Sequence, residues 1–248
     1  MIEIRDLRYT YPDGSIGLNG VSLVIPDGEL LVLCGPNGSG KTTLARHLNG
    51  LLRPQSGSVL VDGCDVARNG REAARRVGMV FQDADSQIIG DTVWEDVAFG
   101  PENMGCPPAE VHDRAAAALK GLGIEHLGSR PCELLSGGEK RRVAIAGVVA
   151  MRPQTILFDE PFANLDFAGV RQTLEHLIAL HGDGHTVIVT THDVEKIAVH
   201  ADRLAVLQAG RLVALGPPAD IAPRLGEFGL RPPCYCLLGG KPLSWLEE

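Results

Sequence analysis

Gly35-Pro36-Asn37-Gly38-Ser39-Gly40-Lys41-Thr42 has the spacing G-x-x-x-x-G-K-[ST]. Residues of these types in this order bind phosphate. Glycines let the backbone curl until several N–H groups point at one anion. Lys41 adds a point charge for the terminal phosphates of a nucleotide, and Thr42 offers a hydroxyl to Mg²⁺. The helix that must follow presents the positive end of its dipole to the same phosphates. Gly35, Asn37, Gly38, Ser39, Gly40, Lys41, Thr42 and Thr43 are therefore the candidate phosphate contacts.

Two further segments carry chemistry. Thr155-Ile156-Leu157-Phe158 is an apolar run that ends in Asp159 and Glu160. A buried strand in an open α/β sheet delivers its carboxyl end to the edge where ligands bind. Asp159 there would hold Mg²⁺ in its outer sphere, and Glu160 would polarise an attacking water. Alone, the pair reads equally well as a strand meeting a solvated turn; its place after a phosphate loop gives it meaning. In Leu135-Ser136-Gly137-Gly138-Glu139, Ser136 reads as a helix N-cap followed by two glycines, a second anion site of backbone N–H groups. One nucleotide does not need two such sites from one chain. A head-to-tail pair of chains does, each supplying the lid for the other's ATP.

The elements that must position these residues follow from periodicity. Strands are expected at 2–10, Val21–Ile25, Leu30–Cys34, Val59–Val61 and Val77–Phe81, with a helix at about Lys41–Leu48 behind the phosphate loop. Residues 83–152 change to helical spacing at Trp94–Phe99, Ala109–Gly121 and Glu139–Ala150, and are expected to form an inserted helical subdomain. The core then resumes with the strand Thr155–Phe158, a helix near Gly169–Leu180, the strand Thr186–Thr190, a helix near Val194–Ala201 and the strand Leu204–Gln208. Strands alternating with helices make this an α/β fold with a mainly parallel sheet. A single domain is expected over 1–220, its core at 1–82 and 153–220, followed by a short proline-rich tail at 221–248.

Bulk properties exclude other classes. A formal charge of −8 leaves no basic excess for a general affinity for nucleic acid. No run of 18 apolar residues exists, and the N-terminus has no signal-peptide pattern, so the chain is expected to be cytosolic. The six cysteines contain no CxxC pair and are expected to be free thiols, several of them buried. Cys234 and Cys236 make a poor soft-metal site without a third ligand.

The Leu135–Glu139 segment closely resembles the LSGGQ signature of ATP-binding-cassette proteins, and the likeness extends over nearly the whole chain. It implies a P-loop NTPase (RecA-like) core with N-terminal antiparallel strands and an inserted helical subdomain, and ATP and Mg²⁺ as ligands. Matching positions take roles from the family. Tyr11 corresponds to the aromatic that stacks on adenine, and Gln82 to the glutamine that senses Mg²⁺ and contacts the membrane partner. Asp166, within Ala163-Asn164-Leu165-Asp166, lies in the loop that communicates between two sites. His192 corresponds to the switch histidine that holds the γ-phosphate; the other seven histidines are read as surface residues. Glu139, Phe162 and Phe167 depart from the commonest pattern, and the two phenylalanines bear on dimer packing.

Phe81-Gln82-Asp83-Ala84-Asp85-Ser86-Gln87-Ile88-Ile89 and Ala98-Phe99-Gly100-Pro101-Glu102-Asn103 look like the ATPase of energy-coupling-factor importers, which take up vitamins or cobalt and nickel ions. That likeness implies a second ATPase chain, with a homodimer feasible because every catalytic motif is intact. It also implies a transmembrane coupling subunit, a small substrate-binding membrane subunit and a peripheral place on the cytoplasmic face of the cell membrane. Residues 83–102 hold six acids and no lysine or arginine, which reads either as a groove for arginines of the membrane subunit or as a solvated acidic loop. Two readings compete: the ATPase of another transporter type, and a soluble cassette ATPase acting on ribosomes or DNA. The second is disfavoured because those resemble two fused cassettes or one split by a coiled coil, and no heptad run is present.

Overall fold

In a computed structural model describing residues 1–247, the first strands β1 (Ile2–Thr10) and β2 (Ile16–Ile25) pair antiparallel across the Pro12-Asp13-Gly14 turn. β3 (Leu30–Cys34) runs into the phosphate loop, and α1 (Lys41–Leu48) leaves it. β4 (Ser56–Val61) and the two-residue β5 (Cys64–Asp65) return to the first sheet, giving the order β2-β1-β4-β5. After α2 (Gly70–Arg76) and β6 (Val77–Val80) come three longer helices, α3 (Val93–Asn103), α4 (Pro108–Gly121) and α5 (Gly137–Ala150). β7 (Thr155–Asp159), α6 (Phe167–Gly182), β8 (Thr186–Thr191), β9 (Arg203–Gln208) and β10 (Arg211–Gly216) complete a six-stranded sheet in the order β10-β9-β3-β8-β7-β6. Its pairings are parallel except for the β9–β10 hairpin.

The central strands are apolar throughout because both faces are covered. Leu31 and Leu33 of β3 pack with Leu44 and Leu48 of α1 and with Ile4 and Val21 of the antiparallel sheet. Leu30, Val32 and Cys34 alternate to the opposite face, where they share a core with Val97 of α3, Ala115 of α4, Ile145 of α5 and Leu174 of α6. Helices α3 to α5 therefore share one hydrophobic core with the sheet. Phe158 of β7 is fully buried at its centre, and truncation to alanine costs about 3–5 kcal/mol.

Several sequence expectations change. The helix expected near Val194–Ala201 is only a 3₁₀ turn at Ala198–His200. Asp193 accepts the Glu195 N–H (3.2 Å), and the chain must bury Val194, Ile197 and Ala198 before entering β9, so a single turn forms. Elements absent from the sequence reading include α2, β5 and β10, the last joined to β9 by Ala209 and Gly210, both with positive φ. His47 is no surface residue: it is fully buried, with Nδ1 2.7 Å from the Thr43 carbonyl and its ring edge-on to Tyr9. Phe162 turns into the main core and so makes no surface for a partner, whereas Phe167 is 62% exposed. The six cysteines are free, and Cys34 and Cys132 are buried.

Beyond Pro217 the chain forms the short α7 (Pro218–Ile221), a 3₁₀ run at Ala222–Phe228 and α8 (Cys234–Leu238). Ile221, Ala222, Leu225 and Leu230 are buried in the main core. Among the described residues no helix is long and apolar enough to cross a membrane.

Candidate active site

β3 hands the chain to the loop at Gly35, where a Cβ would stand 2.2 Å from the Leu207 carbonyl oxygen and 2.5 Å from Ser39 Oγ. No other residue fits there. Gly40 closes the loop in the left-handed region at φ +105°, and its own Cβ would meet the Gly17 carbonyl at 2.5 Å. α1 begins at the next residue, so its N-terminal end opens onto the loop. Lys41 is 6% exposed; its Nζ donates to the carbonyls of Gly35 (2.8 Å) and Pro36 (3.2 Å) and lies 3.8 Å from the Glu160 carboxylate. Burial pulls its pKa down, and Glu160 and Asp159 pull it back up.

A cleft of about 630 Å³ is lined by Asn37 to Thr43, by Tyr11, and by Gln82, Glu160 and His192. Tyr11 is fixed through its hydroxyl, 2.7 Å from Thr43 Oγ1, and by edge-on contact with Tyr9. The parallel register of β7 on β8 sets the acidic end of the cleft. Asp159 Oδ1 accepts from Thr42 Oγ1 (3.2 Å) and from Thr190 Oγ1. Glu160 follows in the left-handed region at φ +48°, a strained position for a side chain of this kind, held by its N–H to the Thr190 carbonyl (2.9 Å). His192 Nδ1 lies 3.0 Å from Glu160 Oε1.

Thr42, Gln82 and Asp159, the candidate Mg²⁺ contacts, also share the rim of a second hollow of about 500 Å³. A hydroxyl, an amide and a carboxylate are oxygen donors suited to a hard cation. Ser39 Oγ is buried without a hydrogen-bond partner in the wall of the loop, an unpaired polar atom of the kind a phosphate oxygen would satisfy. The residues present thus fit a magnesium nucleotide.

Gln82 is held from behind. Arg141 of α5 donates to the Gln82 and Phe81 carbonyls, while Gln87 accepts the Phe81 N–H (2.8 Å) and donates to the Met79 carbonyl (3.2 Å). Arg141 escaped the sequence reading because nothing in its spacing marks it. Ser15, Ile16 and Gly17 also line the cleft, and Thr190 braces its acidic end; none carries a motif.

Ser136, Gly137, Gly138 and Asp166 lie outside this cleft. Ser136 caps α5 in a reciprocal box: its N–H donates to Glu139 Oε2 (2.7 Å) and its Oγ accepts the Glu139 N–H (3.3 Å). The Ser136 N–H holds the Glu139 carboxyl below its ordinary range. A glutamate thus serves this turn as a glutamine would. Asp166 caps α6 by accepting the Gly169 N–H at 2.8 Å.

The acidic segment divides. Asp96 is buried and accepts the N–H groups of Ile89 (2.8 Å) and Gly90 (3.1 Å), Glu95 closes the capping box at Thr92, and Asp85 pairs with Lys140. Asp83, Asp91 and Glu102 remain exposed, as do Ile89 and Phe99.

Residues 18–163 match the family model described as ABC transporter. The chain belongs to the ABC transporter ATPase family. This ABC ATPase is 49% identical over 239 residues to the cobalt import ATP-binding protein CbiO of Rhodobacter capsulatus, covering 94% of this chain and 85% of that one. It is 44% identical over 224 residues to the energy-coupling factor transporter ATP-binding protein EcfA of Methanocaldococcus jannaschii, covering 89% and 80%. The solved structure of cbiO1 from Clostridium perfringens, titled as part of the ABC transporter complex cbiONQ, superposes with a TM-score of 0.81 at 39% identity and covers 89% of each chain. The ABC fold expected from the motifs is the fold observed, and the ABC ATPase binds and hydrolyses ATP.

Proposed function

We propose that this ATPase is the motor subunit of an energy-coupling-factor type importer, working as a head-to-tail pair on the cytoplasmic face of a membrane and serving uptake of a cobalt or nickel ion or a vitamin. The observation that carries the pairing is the division of the site. The phosphate loop, Gln82, Glu160 and His192 line one cleft, while the second anion-binding turn at Ser136–Gly138 and the Asp166 loop lie outside it. Each chain then holds half of what a closed site requires. Likeness to CbiO and EcfA over most of the chain supports the importer type.

The chemistry follows from the residues. Tyr11 stacks on the base, with its ring pinned by Thr43. The loop N–H groups and Lys41 hold the phosphates. Thr42, Gln82 and Asp159 would hold Mg²⁺, which would offset the negative charge of the phosphates. Glu160, braced by its backbone bond to Thr190, takes a proton from the water that attacks the γ-phosphorus, and ADP leaves. His192 orients Glu160 and contacts the γ-phosphate. Ser136 and the N–H groups of Gly137 and Gly138 reach that phosphate from the second chain. The exposed Asp83, Asp91 and Glu102, with Ile89 and Phe99, form the face for a basic coupling segment of a transmembrane subunit.

Affinity purification of the tagged chain from detergent-solubilised native membranes tests this. A large transmembrane protein and a small membrane-embedded substrate-binding protein should co-purify. Recovery of ribosomes, DNA or no membrane protein would leave the ATPase and remove the importer.

A further inference from the structure

Aromatic side chains make up 4% of this chain, yet two of them meet where the tail reaches the head of α6. The Trp245 ring lies 5.6 Å from that of Phe167, tilted by 36°. Phe167 directly follows Asp166 at the head of α6. Lys196 Nζ stands 5.7 Å from the centre of the Trp245 ring and pairs with Asp193, the neighbour of His192. Trp245 therefore meets the first residue of α6, next to Asp166, and Lys196, four residues after the cleft's histidine.

The rest of the tail secures it there. The Cys234 N–H donates to the Glu195 carboxylate (2.7 Å), His200 Nε2 lies 2.8 Å from Ser244 Oγ, and that same oxygen accepts the Leu246 N–H (3.0 Å). Trp245 and Leu246 pack on the main core. These contacts fall on residues 195–200 and on the exposed Phe167 at the start of α6.

We propose that Trp245 is a positioning residue, which through Phe167 and Lys196 holds the Asp166 loop in a fixed relation to the His192 segment. This rests on the roles given above to Asp166 and His192 in a paired ATPase. The tail then steadies Phe167, and with it the loop that ends at Asp166, through an aromatic contact made from far along the chain. Its loss leaves each half-site able to bind nucleotide but lets the two loops drift, which penalises the closed pair.

The test uses the full-length chain. Trp245→Ala should lower kcat by about 10- to 100-fold, as displaced groups do when they lie outside the reacting atoms, while the Kd for MgATP in the same variant with Glu160→Gln changes by less than about twofold. Trp245→Phe, which keeps a ring against Phe167 and Lys196, should restore most of the rate, and Lys196→Met should fall between. The chain has two tryptophans, so in a Trp94→Phe background Trp245 emission should shift when ATP drives pairing of the Glu160→Gln form. Wild-type kcat in Trp245→Ala, or an equal loss of ATP affinity and thermal stability that Trp245→Phe does not repair, would overturn the proposal. Glu160→Gln chains that stay monomeric on sizing with ATP would remove the paired reading itself. Chains that pair with unmoved Trp245 emission and unaltered Trp245→Ala turnover would remove only the positioning role.

Discussion

Arg141 donates one hydrogen bond to the Gln82 carbonyl at 2.8 Å and a second to the Phe81 carbonyl at 3.2 Å. Arg141 is 6% exposed and makes no ion pair among the described residues. Burial pulls its pKa down, with Asp83 opposing. Backbone carbonyls satisfy it instead of a carboxylate, so the helix that starts at Ser136 is tied to the loop that carries Gln82. Arg141→Met should destabilise the chain by about 1–2 kcal/mol, because two part-buried carbonyls lose their donor. Turnover should fall further than ATP affinity. Denaturant unfolding and calorimetric titration check both, and a neutral substitution would show that the tie is incidental.

Glu160→Gln should bind ATP and pair yet lose about 10²–10⁴-fold in turnover, since an amide keeps the side chain's shape but accepts no proton. Lys41→Ala should fail one step earlier, losing ATP affinity itself. Steady-state hydrolysis beside equilibrium binding separates the two. Near-normal turnover in Glu160→Gln would assign the base elsewhere.

Burial pushes the Cys34 thiol up to about 12 from its ordinary 9.0. The native state therefore keeps the proton over a range in which the unfolded chain has released it. Stability from this group is whole below pH 9.0 and is lost as pH rises toward about 12. Unfolding free energies measured across that window should fall more steeply for the wild type than for Cys34→Val. Equal slopes would mean that the thiol is not desolvated.

Reversing Asp91 and Glu102 to lysine should release the membrane partner while sparing ATP hydrolysis, because both are exposed and make no internal hydrogen bond through their side chains among the described residues. Asp96→Asn acts differently. It weakens the N–H groups of Ile89 and Gly90 and should cost about 1–2 kcal/mol of stability. Co-purification and thermal unfolding distinguish these effects; retained assembly with both charges reversed would place the docking face elsewhere.

Local rules settle much of this molecule. The phosphate loop, the apolar strand ending in Asp159 and Glu160, and the cap at Ser136 are each contiguous, so their chemistry is legible without a fold. The strands flanking them are legible too, because burial on both faces leaves unbroken apolar runs. What resists is whatever depends on distant contacts. The helix expected after His192 is reduced to one turn by the need to bury Val194 and Ile197 on the way into β9. The six acids of 83–102 look alike in sequence, yet Asp96 turns inward to backbone N–H groups while Asp91 stays in solvent. His47, Arg141 and Trp245 carry no motif, and their partners lie between 4 and 78 residues away in the chain. By itself the sequence determined the chemistry of the loop and the identity of the fold, since both rest on backbone geometry and periodicity set by neighbours. Only tertiary packing decided which carboxylates face water, what holds Gln82 and where the tail ends, because burial is a property of the assembled chain.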